Sequence, residues 1–307
     1  MPPPTPNSDL TISTSDNLSI HLTYSPSVVP AVPVVNMSST SFQQDQKKIR
    51  ILILNPNSSQ SMTEGMKKAI SSLNLPDTIK IDYYTAPTGP ASINDGDDVQ
   101  KSAQEVLKDL SPNGQNSQLL QSNDAVLVCC FSDHPLVKRL ISDFPSIPLS
   151  VTGIFEAATL TSLSLLTGPT KKWGIVTTGK FWEDHLITGV HEFLGYAADG
   201  EEGYPKNWKF AGVQTTGLNA GDFHGDIPQE EIDDRLVEAT KKLLQAGDVE
   251  CVVMGCAGMA GLEQIIRRTA IEEYGEERGK KVMVVDGVRA GVGLLAEMVK
   301  NRRMFTQ

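Results

Sequence analysis

Val126-Leu127-Val128-Cys129-Cys130 and Cys251-Val252-Val253-Met254-Gly255-Cys256 are two apolar runs, each ending in a cysteine and each followed by a small polar turn and a helical pattern. Short apolar runs of this kind read as buried strands, so Cys130 and Cys256 each stand at a strand-to-helix junction. In open α/β sheets ligands bind outside the carboxyl ends of the strands. A helix N-terminus at that place favours negative charge and is expected to lower the pKa of a thiol. Two such thiols in two similar settings point to a two-sided active site.

Working outward, Lys48-Ile49-Arg50-Ile51-Leu52-Ile53-Leu54 reads as a first buried strand, ending in the polar turn Asn55-Pro56-Asn57-Ser58-Ser59. Ser61 and Glu64 have the spacing of a capping box, and Met62, Met66, Ala69, Ile70 and Leu73 then share one helical face. Residues 79–84 alternate as a strand, 99–110 follow as a helix, 147–153 as a short strand and 154–166 as its helix. A second series begins at Trp173-Gly174-Ile175-Val176-Thr177-Thr178-Gly179. It continues through strands at 210–215 and at Cys256, and closes on a strand at 281–287 and a final helix. Alternating strands and helices predict parallel β-α units. The interval from Asn55 to Cys130 nearly equals that from Thr177 to Cys256, so the chain is expected to be an internal duplication. The predicted fold is α/β, with two pseudo-symmetric lobes, each a short, mostly parallel sheet flanked by helices, and the active site in the cleft between them. The first lobe is expected over 47–153, completed by a C-terminal helix at 289–303, and the second over 154–288.

Composition narrows the function. With 307 residues and 39% hydrophobic content the chain can bury two ordinary cores. A formal net charge of -10 argues against nucleic acid as a partner, and no apolar stretch is long enough to span a bilayer. The four cysteines lack the spacing of a disulfide framework, which implies a reducing, cytoplasmic compartment. The first 46 residues, free of Lys and Arg and rich in Pro, Ser and Thr, read as a disordered extension. The five histidines show no metal-ligand spacing and no strand is followed by a Gly-rich phosphate loop, so neither a metal nor a nucleotide cofactor is expected.

Cys129 and Cys251 lie within or at the start of their apolar runs and are expected to be core residues. Around Cys256, Ala257 and Gly258 let a ligand approach the backbone; beside Cys130, Phe131 and Ser132 are candidates for substrate contact. Asp133 is read equally as a cap for the helix entered at Pro135 and as a catalytic group, and His134 as a modulator of Cys130 or a packing residue. Asn55, Ser58, Thr177 and Thr178 end the first strand of each lobe. They are candidates for hydrogen bonds to substrate, with turn and capping chemistry as the competing explanation. Glu156 and Asp286 each have a helix-end reading.

The motifs ILILNPNSS (Ile51–Ser59), CCFSDHPL (Cys129–Leu136), GIFEAA (Gly153–Ala158), IVTT (Ile175–Thr178), MGCAGM (Met254–Met259) and VDGV (Val285–Val288) resemble, in order, those of the aspartate/glutamate/hydantoin racemase superfamily. The similarity spans about residues 48–302 and is greatest to the hydantoin/allantoin racemase branch, including fungal hydantoin-racemase-like proteins. The stretch 195–228 departs from it. The resemblance implies two lobes, no cofactor, a homo-oligomer, and two cysteines on opposite sides of the substrate carbon, by position Cys130 and Cys256. One thiolate would take a proton while the opposite thiol returns one, on a five-membered ring ureide such as a hydantoin or allantoin. Three other readings compete: a ureide-binding or regulatory protein without turnover, a related isomerase or amino-acid racemase, and a redox sensor using the vicinal pair Cys129-Cys130.

Overall fold

The computed structural model describes residues 48–195, 209–225 and 227–306. The extension expected over 1–46 lies outside the described residues, as do 196–208 and 226 within the stretch that departs from the resemblance. The chain forms two four-stranded sheets of identical strand order. The first alternates β1 (Ile49–Asn55), α1 (Gln60–Ser71), β2 (Ile79–Thr85), α2 (Gly96–Leu110), β3 (Ala125–Val128), α3 (Pro135–Ser142) and β4 (Ser150–Gly153), in the order β2-β1-β3-β4. After α4 (Ile154–Leu165), the second runs β5 (Lys172–Thr177), α5 (Phe181–Phe193), β6 (Phe210–Thr215), α6 (Gln229–Leu244), β7 (Val249–Met254), α7 (Glu263–Gly279) and β8 (Met283–Asp286), in the order β6-β5-β7-β8. The chain closes on α8 (Gly287–Phe305). Every pairing is parallel. The apolar runs are therefore covered on both faces, and β3 is buried throughout.

Register makes the duplication explicit. Leu54 pairs with Val128, and Val176 with Met254. One residue further on, the Cys129 N–H donates to the Leu54 carbonyl and the Gly255 N–H to that of Val176, both at 2.8 Å. Cys129 and Gly255 are thus equivalent, and so are Cys130 and Cys256. Two helices tie the sheets together. α8 lies on β1, β3 and β4, while α4 packs on α8 and reaches β4, β7 and β8. This position between layers explains why Ile154 through Thr159 are all buried rather than confined to one face.

Several expected boundaries shift for local reasons. Ser59, not Ser61, caps α1, its hydroxyl accepting the Met62 N–H at 3.3 Å, while Glu64 pairs with Lys67. The strand expected from residue 147 starts at Ser150, because the Ile147 and Leu149 N–H groups turn back onto Phe144 and Ile147, and Pro148 has none. The strand expected from 281 starts at Met283, since the N–H groups of Lys281 and Val282 close the end of α7. No described helix is long and apolar enough to cross a membrane.

Candidate active site

Cys130 follows β3 by two residues and Cys256 follows β7 by two, and both side chains line one narrow cavity between the sheet ends. Asn57, Met62, Ile93, Phe131, Thr178, Trp182, Ala220, Gly255, Ala257 and Gly258 complete most of its wall. Among the described residues no charged side chain lines it. Its volume is about 30 Å³, room for about two waters; a ring would need the surrounding loops to part.

The two thiols differ in what they touch. Cys256 caps the single turn Ala257–Met259, with its sulfur accepting the Gly258 N–H at 3.3 Å. Burial pushes its pKa up to about 11, held back by the N–H groups of Gly258 and Met259. Among the described residues, Cys130 has only the Ser132 hydroxyl, 3.5 Å away. Burial pushes Cys130 up to about 12; the Ser132 bond opposes this, and charge on Cys256 and Glu156 adds to it. The effect of charge on Cys256 upon the Cys130 thiol accords with their sharing one cavity. The lowering expected from helix N-termini is absent: α3 begins only at Pro135, and burial outweighs the few N–H groups available.

The Asp/Glu/hydantoin racemase family matches this chain over residues 51–295, which includes both sheets and both thiols. The chain belongs to that family. By family it is a racemase, an isomerase. It is 31% identical over 259 residues to an uncharacterized protein of Schizosaccharomyces pombe, covering 84% of this chain and 94% of that protein. It is 25% identical over 245 residues to a hydantoin racemase of a Pseudomonas species, covering 80% and 83%. Among solved structures, an allantoin racemase from Klebsiella pneumoniae superposes with a TM-score of 0.63 at 23% identity, covering 83% of this chain and 89% of that one. At that identity the likeness concerns the fold.

In this racemase, Cys130, Phe131, Thr178, Cys256, Ala257 and Gly258 meet at the cavity. Asn55, Ser58, Ser132 and Thr177 do not line it. Asn55 is fully buried and organises the β1–α1 turn, its amide donating to the Ser59 carbonyl and the Thr63 hydroxyl at 3.0 Å each. The Ser58 N–H and hydroxyl face the loop carbonyls of Gly89 and Pro90. Ser132 is buried behind Cys130. The Thr177 hydroxyl donates to the Gly255 carbonyl at 2.6 Å, fixing the end of β7. A side chain at Gly255 would sit 2.7 Å from Ile175 and Thr177, so glycine is required for the two strands to close there.

Asn57, Met62, Ile93, Trp182, Ala220 and Gly255 also line the cavity, though the sequence did not mark them as site residues. Met62 and Trp182 had a signal: each is an apolar residue in the first turn of the helix that follows the first strand of its sheet. Cys129 also lines the cavity, yet burial raises its pKa well above the ordinary value and its thiol donates back to the Leu127 carbonyl at 3.6 Å. Cys251 is buried with its thiol on Ser162.

His134, not Asp133, caps α3. Its Nδ1 accepts the Leu136 N–H, which places the ring proton on Nε2 beside the Ser102 hydroxyl at 3.0 Å. Burial lowers its pKa to about 3, so His134 is neutral and offers Cys130 no positive charge. Asp133 pairs with Lys138 at 3.2 Å. Asp286 caps α8 through the Arg289 N–H at 2.8 Å. Glu156 is buried in the first turn of α4 with Oε2 lacking a partner, and burial pushes its carboxyl up to about 7. A larger groove, about 730 Å³, lies at the opposite strand ends, but its groups are engaged with one another. Glu250 holds Thr167, and Arg278 stacks on Tyr274. Among the described residues no group of His, Cys, Asp and Glu is arranged to hold a metal ion.

Proposed function

We propose that this protein is a cofactor-independent racemase of a five-membered ring ureide of the hydantoin or allantoin type, with Cys130 and Cys256 as its acid/base pair. The observation that carries the reading is the equivalence of the two cysteines: one residue type, two residues beyond the same strand of each sheet, on one cavity. Inversion requires a base on one face of the ring carbon and an acid on the other. The thiolate takes the ring proton, the carbanion delocalises into the adjacent carbonyl as an enolate, and the opposite thiol supplies a proton to the other face. The pair ends with its proton exchanged, ready for the opposite enantiomer. Backbone N–H groups after each cysteine, around Phe131 and Ala257, stabilise the enolate oxygen, and Thr178 and Gly258 contact the ring.

The wall of the cavity supports a neutral ring over a free amino acid. A carboxylate and an ammonium placed there would be stripped of water with no charged side chain among the described lining residues to pair them. The lobes divide at residues 153/154, with 47–153 completed by 289–303 of α8 and 154–288 forming the other. The packing of α8 on β1, β3 and β4 supports this division. The four free cysteines suit a reducing, cytoplasmic setting, and the resemblance to the racemase family is what supports a homo-oligomer as the assembly.

The test is loss of optical rotation and deuterium uptake at the ring carbon when enantiopure 5-substituted hydantoins and allantoin are incubated with the protein in deuterated water. Inversion with exchange is expected. Binding without either would leave a ureide-binding protein and defeat the proposal.

A further inference from the structure

Ser132 is fully buried and lies outside the cavity wall, yet among the described residues its hydroxyl has one hydrogen-bond partner, the Cys130 sulfur at 3.5 Å. Sulfur is a weak acceptor while it carries its proton and a far stronger one as a thiolate. A buried hydroxyl whose partner is a sulfur alone is therefore poorly satisfied unless that sulfur becomes charged during turnover.

The second sheet has a counterpart at the matching place. Because Cys130 and Cys256 are equivalent, so are Ser132 and Gly258, each two residues beyond its cysteine. At Gly258 the backbone N–H reaches the sulfur, at 3.3 Å. At Ser132 the backbone N–H is engaged by the Cys130 carbonyl at 3.1 Å, and the side chain meets the sulfur instead. That exchange alters the chemistry. A backbone N–H can only donate, so it favours the charged form of Cys256. A hydroxyl turns about its C–O bond, donating to a thiolate and accepting from a thiol.

We infer that Ser132 is the positioning residue of Cys130, its hydroxyl donating to the sulfur in the thiolate form and accepting from it in the resting thiol. This rests on the acid/base reading of the pair above. Ser132 acts through the sulfur and not on the ring, since its side chain is off the cavity wall. Burial pushes the Cys130 thiol up to about 12, and the Ser132 bond opposes that rise, as a donor to the thiolate should. The two faces of the reaction thus have different partners: Cys256 has fixed donors, and Cys130 has one that follows its proton.

The experiment uses no substrate, so its failure is distinct from failure of the ring-ureide reading. The purified, reduced full-length chain is treated with sub-stoichiometric iodoacetamide between about pH 7 and pH 10, where labelling follows the thiolate fraction. Initial labelling of Cys130 and of Cys256 is located by peptide fragmentation in a mass spectrometer. Their ratio on one preparation cancels the opening of the cavity that both share. Ser132→Ala is expected to lower the Cys130-to-Cys256 ratio by about tenfold across this range, the size of a hydrogen bond to a charged group. The smaller side chain leaves more room, so access alone would raise the ratio. Ser132→Thr, which keeps the hydroxyl, is expected to hold the ratio within about threefold. A ratio left unchanged or raised by Ser132→Ala, or lowered equally by Ser132→Thr, would overturn the inference while leaving the ring-ureide reading standing.

Discussion

Two thiols occupy equivalent places in two sheets of identical strand order, yet their surroundings differ. Cys256 starts a turn, and its sulfur accepts a backbone N–H. Beyond Cys130 the chain bends without a helix until Pro135, and among the described residues its sulfur has one hydrogen-bond partner, the Ser132 hydroxyl. The sheets therefore set where the thiols are, and the loops set how readily each ionises. With one proton removed from the pair, the charge is better placed on Cys256, where the N–H groups of Gly258 and Met259 oppose the effect of burial, than on Cys130, where Glu156 adds to it.

The largest effect that would break this comparison is loss of either sulfur. Cys130→Ser and Cys256→Ser should each reduce inversion of a ring ureide by ~10²–10⁴-fold, the usual contribution of a positioned acid or base. A variant of either kind retaining near-normal inversion would mean that the equivalent positions do not act as a pair. A change in pH sharpens the same comparison. Activity needs one thiolate, and burial keeps both groups protonated well beyond the ordinary thiol range, to about 11 for Cys256 and about 12 for Cys130. Hence kcat/KM should climb about tenfold per pH unit from pH 7 to 10 without a plateau. A plateau reached by pH 8 would mean that a bound ring lowers the thiol pKa far more than the free site does.

The smallest effect concerns a group that only the Cys130 side carries. The Glu156 carboxyl is raised by burial to about 7. Below pH 4.5 it is protonated in both folded and unfolded chains and contributes nothing to pH dependence. As pH rises from 4.5 to 7 the unfolded chain ionises first, so stability falls across that window. Glu156→Gln should therefore raise stability at pH 8 by about 1–3 kcal/mol relative to its effect at pH 4.5, read by denaturant unfolding at both values. Equal effects at the two pH values would mean that folding does not raise the pKa of this carboxyl.

Much of this was legible in the residues because parallel strands buried on both faces write themselves as continuous apolar runs. The β3 and β7 runs and the residues just past them located both cysteines, and the near-equal spacing from Asn55 and Thr177 found the duplication. What the sequence hid was the direction of side chains at strand ends. Asn55, Ser58 and Thr177 have the right chemistry for substrate contact, but each is consumed by backbone groups of its own turn or neighbouring strand. Local turn bonds of this sort are the normal competitor for Asn, Ser and Thr. Ile93 comes from a loop and Ala220 from the start of a short 3-10 helix (Ala220–His224), neither with a periodicity to mark it. The sign of the thiol shifts was hidden too, since burial is a property of the closed cavity and not of any motif.

The most direct test of the facing pair is enantiomer-resolved deuterium exchange by the two single variants. A lone thiol can take a proton from only the face it meets and return deuterium to the same face. Cys130→Ser should label one hand of the ring ureide and Cys256→Ser the other, each without inversion. Labelling of the same hand by both variants, or of both hands by either, would contradict the placement of Cys130 and Cys256 on opposite faces of the reacting carbon.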